Sequence, residues 1–137
     1  MKLDQKLVDA AIKFLEERLP DGDWEGAAAM YTEKGRILTS TAPGEINNGA
    51  SLCHETGAIC EAYSLNEKIT ASVCVIRDQN KEIHILTPCG ICQERLFYWG
   101  DEIEVAVPKS NDSTKWLVKT LKDVQPYHWY KIFKKGK

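Results

Sequence analysis

The feature that most constrains this chain is Cys53-His54-Glu55, answered further along by Pro88-Cys89-Gly90-Ile91-Cys92. Three thiols with an acid two residues after the first form a set that can hold zinc and do chemistry on it. Zinc takes four ligands; a structural site fills all four with protein, and a catalytic site keeps three and leaves one position open. Cys53, Cys89 and Cys92 make three. Glu55 is then the pocket acid that is not a ligand, placed to move the proton of a bound water as a general base. Cys92 follows Cys89 by about one helical turn, so both can face one ion. Any fold open to this chain must bring these two distant segments together.

The totals narrow the field further. A chain of 137 residues predicts a single domain, 1–137, with one core large enough to fold without disulfides. A formal charge of -2 and a pI near 5.9 argue against a nucleic-acid binder, which usually shows a basic face and a high pI. No apolar run approaches the ~20 residues that cross a membrane. The N-terminus reads as a charged amphipathic segment rather than a signal peptide. Five cysteines, an odd number, fit a reducing cytoplasm better than a disulfide framework.

Periodicity places the motifs on elements. Leu3, Leu7, Ala11, Phe14 and Leu15 recur at helical spacing over 4–19, with Asp4 as cap and Pro20 beyond the end. Gly26 to Thr32 and Arg36 to Thr41 read as a hairpin across Glu33-Lys34-Gly35. An irregular loop spans 42–52. Cys53 to Asn66 reads as a helix whose first turn holds Cys53, where the positive end of the dipole favours the thiolate. Ile69 to Arg77 and Glu82 to Leu86 read as strands around a turn at Asp78-Gln79-Asn80. A second helix runs from near Cys89 to about Trp99 and stops at Gly100. Ile103 to Val107 and Thr114 to Val118 read as strands. Their link is too short for a parallel crossover, so the pair is expected to be antiparallel. A short helix over Lys119 to Val124 precedes Gln125-Pro126-Tyr127-His128-Trp129.

The C-x-E followed by P-C-x-x-C is the three-cysteine form of the zinc nucleobase deaminase signature. From about Trp24 to Trp129 the chain resembles the small zinc-dependent cytidine deaminase family, including its blasticidin-S deaminase branch. The resemblance implies an α/β fold of three layers, α/β/α, with a five-stranded mixed sheet whose last two strands are antiparallel and the cysteine-bearing helices together on one face. In the family that antiparallel pair marks enzymes acting on free nucleosides. It also implies one zinc per subunit on Cys53, Cys89 and Cys92, Glu55 as the proton carrier, a small cytosine nucleoside as substrate, and a homotetramer or homodimer. The family's ribose-binding Asn and Glu fall on Ala42 and Gly44 by direct count. A shift of one residue brings in Glu45, and Asn47 or Asn48 could supply the amide; the same residues are also ordinary turn formers. Trp129, three after Pro126, matches the family aromatic that stacks near the base, often across a subunit boundary; it could equally close a core. Where the family often carries Arg to offset thiolate charge, Thr56 and Gln93 stand here, and Arg95 is the available substitute.

His54 is expected to pack locally or to touch substrate through its backbone, since adjacent helical residues point ~100° apart and Cys53 already takes the ligand position. Two other functions remain open. Cys89-Gly90-Ile91-Cys92 between a strand and a helix resembles a thiol redox site, but that reading uses neither Cys53 nor Glu55. A structural zinc domain would need a fourth protein ligand, for which the sequence offers His54 or His84. Among the enzyme readings, cytidine or deoxycytidine is the default substrate and blasticidin S the alternative.

Overall fold

Helix α1, Gln5–Arg18, forms where expected. The Asp4 carboxylate caps it by accepting the Leu7 backbone N–H at 3.0 Å, and Leu7, Val8, Ala11 and Leu15 make its buried face. The computed structural model describes residues 2–43 and 47–133. Strands β1, Glu25–Thr32, and β2, Ile37–Ser40, follow as an antiparallel hairpin whose turn uses Gly35 at φ 83°. Helix α2 is Thr56–Leu65, strand β3 Ile69–Arg77 and strand β4 Ile83–Leu86. Helix α3, Gly90–Leu96, passes into a 3-10 turn at Phe97–Trp99 and ends at Gly100. Strands β5, Glu104–Lys109, and β6, Asp112–Thr120, form a second hairpin; helix α4, Leu121–Val124, and a 3-10 turn at Trp129–Phe133 complete the described chain.

The sheet is mixed and has six strands, not five. Its order is β2-β1-β3-β5-β6, with β4 attached to β3 off that path. The extra strand has a simple cause. One edge of β3 is paired along its length with β1, and the other edge is shared. Ala71 and Ser72 pair in parallel with β5, while Cys74 to Arg77 pair antiparallel with β4. The turn after β3 folds back tightly because Asp78 Oδ1 accepts the backbone N–H groups of Asn80 and Glu82 at 2.8 and 2.9 Å. The last two strands, β5 and β6, are antiparallel as the short link requires, with Lys109 opposite Asp112 at the turn. Among the described residues no helix is long and apolar enough to cross a membrane.

Side-chain alternation splits the sheet into two apolar faces. Ala27, Ala29, Tyr31, Val73 and Val75 pack against α1. Met30, Leu38, Ile69 and Val105 pack against Ala58, Ile59 and Ala62 of α2 and Cys92 and Leu96 of α3. The cysteine-bearing helices therefore share one layer, opposite α1.

Buried polar groups pin this arrangement. Glu67, just past α2, is 3% exposed. It accepts the Thr32 hydroxyl at 2.7 Å and the Arg36 Nε and Nη2 groups at 3.2 and 3.1 Å. This clamps the end of α2 to the β1–β2 hairpin. At the other side Arg77 Nη2 donates to the carbonyls of Leu19, Asp21 and Gly22 at 2.7, 3.1 and 3.0 Å, closing the loop between α1 and β1.

The hydrogen bonds from Arg36 and Thr32 hold the Glu67 carboxyl below its usual range. A carboxyl lowered in the folded state stabilises fully above its unfolded value, about 4.3, and loses that contribution as pH falls through the folded value. Glu67→Gln is therefore expected to lower Tm at neutral pH and to flatten the loss of stability below about pH 4.3; thermal melts from pH 7 to 3 check both.

Candidate active site

Two loops lead into the helices that carry the motif. Cys53 lies just ahead of α2 rather than in its first turn as expected, and Glu55 occupies the N-cap position. A turn holds this segment instead of helix, with the Thr56 N–H on the Cys53 carbonyl at 3.1 Å. The Ser40 hydroxyl, from the end of β2, donates to the His54 carbonyl at 2.6 Å. In α3, Cys89 is the N-cap and Cys92 falls in the first turn. The Gln93 side-chain amide reaches back to the Pro88 carbonyl at 2.7 Å and fixes the approach to that helix.

These supports bring Cys53 Sγ to 3.1 Å from Cys89 Sγ, and the sulfurs of Cys53, Cys89 and Cys92 all lie within 4.8 Å of one another. Glu55 is buried beside them at 4% exposure. Burial pushes its carboxyl up, against the pull of its own backbone N–H, the Cys92 thiol and the Arg95 charge. Burial, then Glu55 and the neighbouring sulfurs, pushes the Cys92 thiol far above its ordinary range. Burial likewise leads the rise at Cys53. At Cys89 burial acts in the same direction but is outweighed by the backbone N–H of Cys92, the Cys53 thiol and the N–H of Ile91, and the net shift is downward. Three thiols and a carboxylate in one small volume repel one another's charge. A dication among them would invert that balance and ionise the thiols outright. Soft thiolates in this number suit zinc with an open position, so the residues present fit the ion.

The remaining sequence candidates sort clearly. The His54 ring faces the sheet, with Nδ1 3.6 Å from Cys74 Sγ. A Cβ on Gly26 would stand 2.5 Å from its Cε1 and 2.8 Å from the Val75 carbonyl, so this glycine makes room for the ring. Gly57 does the same for Ser40, whose Cβ would be 2.9 Å from an added methyl. His84 is on β4, bonded to Asp78 Oδ2 and to Ser113 Oγ, each at 2.7 Å. Asn47 Oδ1 accepts the Gly49 N–H at 2.9 Å and caps a 3-10 turn, Asn48–Ala50; Asn47 and Asn48 are both exposed. Glu45 lies outside the described residues. Arg95 Nη1 donates to Thr56 Oγ1 at 3.0 Å and places its charge near Glu55.

Trp129 does not share a pocket with Cys53, Cys89 and Cys92 of its own chain. It is 61% exposed and lines an open groove of about 1390 Å³ with Tyr63, Tyr98, Tyr130 and Phe133; none of the three cysteines nor Glu55 borders it. Exposed aromatic surface of this extent is typical of an interaction face. Sequence reasoning missed Ser40, Gly26, Gly57 and Glu94. Only Gly26 carried a signal, as the first residue of a Gly-Ala-Ala-Ala strand.

Comparison with solved structures gives a match to a cytidine deaminase from Bacillus anthracis, 45% identical with a TM-score of 0.86, covering 94% of this chain and 91% of that one. The chain belongs to the cytidine deaminase family. It is accordingly a hydrolase of the aminohydrolase type. A Mycobacterium leprae cytidine deaminase, 22% identical with a TM-score of 0.69, shares the fold over 91% of this chain and 99% of its own. By sequence, the chain is similar to a blasticidin-S deaminase of Bacillus cereus, 22% identical over 86% of this chain and 88% of that protein. It is also similar to a probable cytidine deaminase of Dictyostelium discoideum, 29% identical over 80% of this chain and 74% of that protein. A scan against protein-family models gave no match.

Gly26→Ala is expected to cost about 1–3 kcal/mol by overpacking the His54 ring. Adding His54→Ala should recover part of that loss, leaving the contact with the Val75 carbonyl. Denaturant melts of the two variants check the prediction.

Proposed function

We propose that this protein hydrolyses the exocyclic amine of a cytosine nucleoside, with cytidine or deoxycytidine as substrate and the uracil nucleoside and ammonia as products. The observation that carries the reading is Glu55, buried against three clustered thiols and belonging to none of the helix's own hydrogen bonding beyond its cap position. Cys53, Cys89 and Cys92 would hold one zinc ion per subunit. Bound there, zinc supplies the Lewis acidity that makes a water nucleophilic near neutral pH. Glu55 takes the proton of the attacking water and delivers it to ring N3. The water oxygen bonds to C4; Glu55 then takes the remaining proton from that hydroxyl and delivers it to the amine as the C4–N bond breaks, leaving a C4 carbonyl and ammonia. The shuttle needs a carboxyl that holds a proton between steps, and Glu55 is buried against the cluster where that proton is moved.

The arrangement disfavours the other readings. A closed structural site lacks a fourth ligand among the described residues, since the His54 ring faces Cys74 and His84 is engaged by Asp78 and Ser113. A redox pair of Cys89 and Cys92 leaves Cys53 and Glu55 without a role. Blasticidin S as substrate is a second reading, supported by the similarity to the Bacillus cereus blasticidin-S deaminase. We assign sugar contacts to Asn47, Asn48 and Glu45, and a backbone contact to His54. Trp129 stacks on the base of a neighbouring subunit in a homotetramer or homodimer; the exposed aromatic groove supports that placement.

Ammonia release is measured with cytidine, deoxycytidine, cytosine, dCMP and blasticidin S. One cytosine nucleoside is expected to react, with Glu55→Gln slowing it by about 10²–10⁴-fold. Cys92→Ser should lose both zinc and turnover, read by metal analysis of the purified chain. Zinc-loaded protein silent on every substrate would overturn the reading.

A further inference from the structure

The C-terminal aromatic is not loosely attached. Glu94, two residues after Cys92 on α3, holds the segment that carries it. Glu94 Oε1 accepts His128 Nε2 at 2.9 Å, and both carboxylate oxygens accept the Trp129 indole N–H at 3.2 Å. His128 lies stacked on Phe97, ring centroids 3.8 Å apart and 15° from parallel, and only 4% of its side chain is exposed. Its Nδ1 is buried without a hydrogen-bond partner, so the ring's proton belongs on Nε2, directed at Glu94.

The geometry points to Glu94 as the positioning residue that aims Trp129 at the substrate base. This rests on the reading above that Trp129 stacks on that base. The reasons are physical. An exposed indole can swing about two torsions, and ordering it on binding substrate costs entropy. Here its one polar atom is tied to a carboxylate that is itself fixed by a buried, stacked imidazole. The ring is left 61% exposed, so its faces stay open for stacking while its edge is held. Because Glu94 lies on α3, the aromatic offered to the neighbouring subunit's base is anchored to a helix of its own subunit's core. In this account Glu94 touches no substrate and acts through Trp129 alone.

The test is a double-mutant cycle on the zinc-loaded enzyme, with whichever of cytidine, deoxycytidine or blasticidin S it turns over best. Glu94→Ala is expected to raise KM about tenfold, the scale of weakening one base–aromatic stack, with kcat within about twofold. Glu94→Gln, which keeps one acceptor oxygen, should restore part of the affinity. In a Trp129→Ala background, Glu94→Ala should change KM no further. Thermal melts identify any variant that loses its fold, and Glu94→Gln then carries the test. If Trp129→Ala raises KM while neither Glu94 variant does, or if the two effects add, the positioning role is overturned and the role of Trp129 stands. If Trp129→Ala leaves KM unchanged, the stacking role fails and the positioning role with it.

Discussion

Cys53 and Cys89 are separated by 36 positions in the chain, yet their sulfurs meet at 3.1 Å. That approach needs two helix starts at the same end of the same layer. The sheet supplies it through the path from α2 down β3, back along β4 and into α3. Close contact is then a matter of removing bulk. Gly26 admits the His54 ring beneath β1, and Gly57 lets α2 settle on Ser40. At the far end of α2, buried Glu67 joins the helix to the β1–β2 hairpin. Neither end of the helix can shift without breaking a polar contact that water cannot easily replace.

Electrostatics gives the site its chemistry. The same burial that raises Glu55 and Cys92 makes the cluster unfavourable as a set of anions, and thereby favourable for a dication. Arg95 contributes a positive charge near Glu55 through its anchor on Thr56. The thiol cluster and the aromatic segment are joined through α3, with Cys92 and Glu94 on one turn of helix.

The cluster of Cys53, Cys89 and Cys92 with Glu55 beside it was readable because the motif is local: a C-x-E and a C-x-x-C need only short spacings to stand out. The antiparallel final hairpin was readable for the same reason, since six residues cannot make a crossover. The start of α2 was misplaced because Cys53 to Glu55 are held in a turn by Ser40, a contact from another element. All six strands were legible along the chain; the sheet of five implied by the resemblance falls one short because no local pattern reveals that β4 and β5 divide one edge of β3. Glu94 reads as an ordinary surface acid until the fold brings it His128 and Trp129, 34 and 35 positions away.

The most direct test of this account is X-ray absorption at the zinc edge on the purified protein. Three sulfur scatterers at about 2.3 Å and one light scatterer are the expected shell for an open site on Cys53, Cys89 and Cys92. A fourth sulfur, an imidazole in the shell, or protein that takes up no zinc would contradict it.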